Sequence, residues 1–170
     1  MSSSTSALQQ KNAKHLIQSF SDLSYIKNPE STHIISRADG VYIYDNDGKK
    51  ILDSMSGLWC VNMGYGQQSI IKAVNDQMKE LVYYNNFFGS SHPSAIKLSE
   101  MIADKTPEGM NKVYFCGSGS EANDTVVRLA RHYWAARGNP SKSVIISRTN
   151  AYHGSTMAGA SLGGMSAMHA

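Results

Sequence analysis

Tyr114-Phe115-Cys116 is an apolar run, Gly117-Ser118-Gly119 are three small residues, and Ser120-Glu121-Ala122-Asn123-Asp124 opens a helical pattern. A glycine-serine turn between a strand and a helix is suited to holding an anion. The first helix amides lack intrahelical acceptors, the helix dipole places partial positive charge on them, and glycine lets an anion come close to the backbone. The amides of Gly119 and Ser120 and the Ser120 hydroxyl are the donors such a site would use. Ser118 and Glu121 also fit the S-x-x-E capping box, which needs no ligand. A capped helix can still bind an anion, so both readings stand.

Two phosphate chemistries compete for this turn. Gly117-x-Gly119-x-x-Ala122 matches the dinucleotide fingerprint. The acidic residue expected after the next strand is missing, however, and Arg148 stands there instead. The nucleotide P-loop pattern GxxxxGK[ST] does not occur. The other chemistry is pyridoxal 5′-phosphate, which needs a phosphate cup, an aromatic residue against its ring and a wall for the substrate. Tyr152-His153-Gly154 follows the next apolar run, at the sheet edge where ligands of open α/β sheets bind. Tyr152 is placed to stack on a ring, or to serve as an ordinary core tyrosine. Trp59 in GLWCVNMGYG and Phe87-Phe88 in NNFFGSSHP put more aromatic residues on glycine-rich loops, where they either pack or line a pocket.

The elements that must position these residues follow from periodicity. Residues 7–20 form a weakly amphipathic arm. Short apolar runs at 34–35, 41–44 and 51–52, separated by Asp39-Gly40 and Asp47-Gly48, predict an antiparallel meander. Helical spacing covers 69–83, about 94–105 and 120–138. KVYFC (112–116) and SVIIS (143–147) read as buried strands. Their alternation with helices predicts a parallel sheet covered on both faces. Two such strands would leave large apolar surfaces open, so the chain reads as the front part of a larger protein.

Composition narrows the class. With 41% hydrophobic residues the 170-residue chain can build a core, and its net charge of +3 is scattered, which argues against nucleic acid. No apolar run approaches the ~18 residues of a membrane span, and the N-terminus lacks a secretion signal. The expectation is a cytoplasmic protein with no membrane partner. Histidine spacing predicts no metal. Cys60 and Cys116 read as free, buried thiols.

Four motifs in order, GVYIYDNDGKKILDSMSGLWCVNMGYG, NNFFGSSHP, VYFCGSGSEANDTVVRLAR and NAYHGSTMAGASLGG, resemble the N-terminal portion of class III pyridoxal-phosphate aminotransferases. The match favours the omega-transaminase branch, which acts on amines and omega-amino acids with pyruvate as acceptor. The resemblance implies an α/β, fold-type-I enzyme, usually a homodimer. Residues 1–53 would be the arm and meander of its small domain. Residues 54–170 would be the incomplete large cofactor-binding domain, a parallel or mixed α/β sheet. It further implies that Gly119 and Ser120, with Ser118 beside them, hold the cofactor phosphate. Tyr152 would stack on the pyridine ring and His153 would support it. Trp59, Phe88, Phe87 and Phe20 would line the substrate pocket, with Phe88 reaching the partner subunit.

The family's catalytic lysine, the aspartate that pairs with the ring nitrogen and the common carboxylate-binding arginine all fall downstream of the YHG motif. None of the lysines present here sits in the corresponding motif. The chain alone is therefore expected to be inactive. Mutases and decarboxylases share these motifs. A truncated, non-catalytic module that binds phosphate or pyridoxal phosphate, or that contributes a dimer interface, is the alternative.

Overall fold

Aspartate-glycine pairs shape the first part of the chain. The computed structural model describes residues 4–169, and the chain divides into two compact units, Met1–Asn85 and Asn86–Ala170. In the first unit, β1 (Ile35–Asp39), β2 (Tyr42–Asp45) and β3 (Lys50–Leu52) form an antiparallel sheet in the order β1-β2-β3. Asp39 pairs with Tyr42, leaving a two-residue loop with Gly40 at φ 56°, a backbone that favours glycine. At the second turn Asp45 closes the loop itself: its Oδ1 accepts the N–H groups of Asp47 (3.1 Å) and Lys49 (2.8 Å). Tyr42 and Tyr44 share one face by the period of two. Lys50 lies over the Tyr42 ring and Arg37 over the Tyr44 ring, at 3.8 and 3.6 Å from the centroids.

The predicted arm is a helix, α1 (Thr5–His15). It has no continuous apolar stripe, so polar bonds dock it: Gln9 and Asn12 donate from their amides to Thr32 O and Oγ1, at 2.9 and 3.1 Å. Asp22 caps a short helix, α2 (Leu23–Ile26), accepting from Ser24 N–H. A four-residue helical turn, α3 (Ser56–Trp59), precedes α4 (Gln68–Glu80), the helix expected over 69–83.

In the second unit, α5 (Pro93–Ala103) starts on a His92 cap with Pro93 in its first turn. The long helix α6 (Gly119–Ala136) is followed by Gly138 at φ 75°, and α7 (Met157–Leu162) packs against α6.

Two expectations are corrected. The runs 112–116 and 143–147 form no ladder; among the described residues the only sheet is the meander. A strand exists through its neighbours' hydrogen bonds, and neither run pairs with the other. Both carry the apolar residues of a doubly covered strand without the cover, as Ile146, 92% exposed, shows. The cysteines are free as expected but exposed rather than buried. Cys60 follows the α3 turn on an open loop, and Cys116 ends an unpaired run. Among the described residues, Ile26 alone is a buried hydrophobic side chain. No helix among them is long and apolar enough to cross a membrane.

Candidate active site

Ser118 caps α6 as its sequence predicts. Its Oγ accepts Glu121 N–H (3.2 Å), and the Glu121 carboxylate reaches back to accept Gly117 N–H (2.7 Å). The return bond lands one residue earlier than in the standard box. The Gly119 and Ser120 N–H groups, first and second in the helix, remain unclaimed among the described residues. Glu121 supplies the only acidic side chain of the first turn, and its carboxylate is turned onto Gly117.

The YHG segment docks on this turn. Ser155 N–H donates to Ser120 Oγ at 3.1 Å, and Asn123 Nδ2 donates to His153 O at 2.6 Å. A hydroxyl that accepts one bond still has its proton to donate, so Ser120 keeps a third donor beside the two amides. Gly154 makes the approach possible: a Cβ there would lie 2.5 Å from Ser120 Oγ. The structure thus brings the His153–Ser155 backbone onto the start of α6 beside Ser118, Gly119 and Ser120, and Tyr152 directly precedes that segment. The Tyr152 ring is half exposed, whereas His153 Nε2 is buried without a hydrogen-bond partner among the described residues.

Asp124 and Thr156, which sequence reasoning passed over, lock this arrangement. Asp124 Oδ1 accepts from the Thr156 hydroxyl (2.6 Å) and from Gly159 N–H (3.0 Å). Thr156 Oγ1 also lies 3.1 Å from Ser120 O, but threonine has one proton and the carboxylate takes it. Ser120, Asn123 and Asp124 stand at i, i+3 and i+4, one helix face; that polar stripe was the available signal. The Thr156 bond, then the Gly159 bond, holds the Asp124 carboxyl below its ordinary value of 3.8. A lowered pKa stabilises the fold fully above the unfolded value, and the gain is lost as pH falls through the folded value. Asp124→Asn is expected to lower the melting temperature at pH 7 and to flatten its fall as the pH drops below about 4. Melting curves across that range check both.

The aromatic residues show a common backbone feature. Phe20, Trp59 and Phe88 have φ of 53°, 64° and 54°, and all three are largely exposed. Positive φ is rare for bulky residues and is retained where something holds it. Trp59 ends a run of four such residues, after Ser56 (49°), Gly57 (59°) and Leu58 (66°). Three of the four are not glycine, at a cost of roughly 1–2 kcal/mol each. Asp53 faces this turn: its Oδ2 accepts from Tyr65 Oη (2.7 Å) and Gly57 N–H (2.8 Å). The Tyr65 bond holds the Asp53 carboxyl below its ordinary range, and the Asp53 bond raises the Tyr65 phenol. Phe87 and Phe88 stack at a tilt, with centroids 6.1 Å apart.

A family model described as "Aminotransferase class-III" matches residues 25–170. The chain is a class-III aminotransferase segment. It is 56% identical over 155 residues to the putrescine–pyruvate aminotransferase of Pseudomonas aeruginosa, covering 91% of this chain and 34% of that protein. An (S)-enantioselective omega-transaminase from Thermomicrobium roseum superposes with a TM-score of 0.94 at 31% identity, over 99% of this chain and 38% of that one. A thermostable omega transaminase gives 0.90 at 38% identity, over 95% and 36%. That protein is a tryptophan-to-glycine variant engineered for asymmetric synthesis of enantiopure bulky amines. The class-III chain thus spans about a third of the length of the relatives it matches. Their fold is that of pyridoxal-phosphate transaminases, and this family uses that cofactor. The residues here fit its phosphate end: two unclaimed amides and a hydroxyl at a helix N-terminus, with Gly154 leaving room beside the hydroxyl.

Proposed function

We propose that the protein carrying this chain moves an amino group between an amine or omega-amino acid and a keto acid such as pyruvate. The observation that carries this reading is the Gly119–Ser120 donor pair docked against the Tyr152-His153 loop, in a chain so close to an amine–pyruvate aminotransferase. Gly119 and Ser120 donate to the cofactor phosphate, with Ser118 ordering the turn, and the α6 dipole adds to their attraction. Tyr152 lies against the ring and His153 supports it. When bound, pyridoxal phosphate supplies the electron sink that lets a substrate carbon lose its proton. Trp59, Phe88, Phe87 and Phe20 each offer an apolar ring to the amine.

Residues 1–53 belong to a small domain and 54–170 to the large one. The working form is a cytoplasmic homodimer, in which the exposed Phe88 reaches the partner subunit. The lysine that carries the proton is supplied by sequence outside these residues. The 170-residue chain, incubated with cofactor, putrescine and pyruvate, is expected to form no alanine above a cofactor-only control, whereas the full-length protein forms it. Turnover by the short chain above that control overturns this assignment of the lysine. Failure of the full-length protein with every amine overturns the reaction.

A further inference from the structure

We infer that Asp53 and Tyr65 are positioning residues that hold Trp59 in its left-handed turn and thereby set amine selectivity. The inference rests on the proposed role of Trp59 as a pocket wall. Local preference does not explain a turn in which Ser56, Leu58 and Trp59 all have positive φ. Backbone bonds close it, Trp59 N–H to Met55 O (2.8 Å) and Cys60 N–H to Ser56 O (2.9 Å), but such bonds close right-handed turns equally well.

The handedness is held from outside the turn. Asp53 Oδ2 takes Gly57 N–H from within it and Tyr65 Oη from beyond it, and Oδ1 takes Met55 N–H (3.2 Å). Both ends of this brace are tied to the meander. Asp53 N–H donates to Val41 O (3.0 Å), and Tyr65 exchanges two backbone bonds with Gly40 (2.7 and 3.2 Å). The brace also crowds Gly57, where a Cβ would stand 3.1 Å from Tyr65 Oη and 3.0 Å from Val61 Cγ2. The Trp59 side chain is meanwhile 77% exposed and touches little that would fix it. Its placement therefore comes through its backbone, and the Asp53–Tyr65 pair fixes that backbone.

The test uses the full-length holoenzyme with pyruvate as acceptor. The quantity is the ratio of kcat/KM for a bulky aryl amine to that for putrescine. Trp59→Ala is expected to change this ratio at least about tenfold, the scale of a lost pocket contact. Tyr65→Phe, which removes a single hydroxyl, is expected to change it about threefold in the same direction, through KM, with cofactor affinity unaltered. Asp53→Asn keeps an oxygen for Gly57 and Tyr65 and should recover most of the ratio that Asp53→Ala loses. In fluorotryptophan-labelled enzyme, the resonance that disappears in Trp59→Ala should shift or broaden in Tyr65→Phe.

An unchanged Trp59 resonance together with an unchanged ratio in Tyr65→Phe and Asp53→Ala, while Trp59→Ala moves the ratio, overturns the positioning role and leaves the pocket reading intact. A resonance that moves in Tyr65→Phe while Trp59→Ala leaves the ratio alone shows the brace without the pocket. The selectivity claim is then overturned along with the reading of Trp59.

Discussion

Alanine at Gly154 is expected to abolish cofactor retention in the full-length enzyme and to lower its melting temperature. Gly154 is buried and has φ of 127°, a backbone that side chains rarely adopt. A Cβ there would stand 2.5 Å from Ser120 Oγ and 2.8 Å from Ser120 Cα. Rotation of the serine can relieve the first contact, but the second is with the backbone at the start of α6. The strained backbone costs about 1–3 kcal/mol and the overpacking about as much again. The cheapest relaxation lifts residues 153–155 off the helix, breaking the Ser155–Ser120 and Asn123–His153 bonds that dock the loop beside the phosphate donors. Gly138→Ala isolates the backbone effect, because Gly138 has φ of 75° but open space around its Cα. It should cost about 1 kcal/mol and leave the cofactor in place. Melting curves and a cofactor titration by absorbance separate the two variants. If Gly154→Ala behaves like Gly138→Ala, the close approach to Ser120 does not shape the site.

That close approach could not be read from the sequence, although the residues on either side of it could. The cap at Ser118, the helix behind it and the YHG loop each follow from local rules. Gly154 meets Ser120 only because Asp124 and Thr156 join segments over thirty residues apart. The meander was legible because Asp-Gly turns and a period of two are local signals. The runs at 112–116 and 143–147 have the composition of buried strands but form no ladder, since among the described residues no backbone lies beside them to pair with. The α3 turn runs against local preference altogether. Ser-Gly-Leu-Trp offers one glycine for four positive φ values, and the carboxylate and phenol that stabilise it come from Asp53 and Tyr65 on either side. Places where tertiary bonds overrule propensity are where functional residues tend to sit. Three of the aromatic residues singled out by resemblance, Phe20, Trp59 and Phe88, likewise run against local preference in having positive φ.

Ser120→Asp is expected to separate cofactor binding from folding. Aspartate at the second helical position keeps an oxygen able to accept Ser155 N–H, and its charge lies at the positive end of α6, where acidic residues stabilise helices by about 0.3–1 kcal/mol. The melting temperature of the cofactor-free protein should therefore hold or rise. The same carboxylate faces the place where the Gly119 and Ser120 amides would hold a phosphate. Like unit charges 4 Å apart repel by about 4 kcal/mol at an effective dielectric near 20, about a thousandfold in affinity. Ser120→Ala removes the hydroxyl both as a phosphate donor and as the acceptor of Ser155 N–H, and should weaken binding about ten- to a hundredfold, the worth of one charged and one neutral hydrogen bond. A cofactor titration of the two variants beside their cofactor-free melting curves gives the answer. Loss of affinity in Ser120→Asp with its fold intact places the phosphate at the start of α6. Equal affinity in both variants moves the phosphate elsewhere and leaves Ser118, Gly119 and Ser120 as a helix cap that holds the Tyr152 loop.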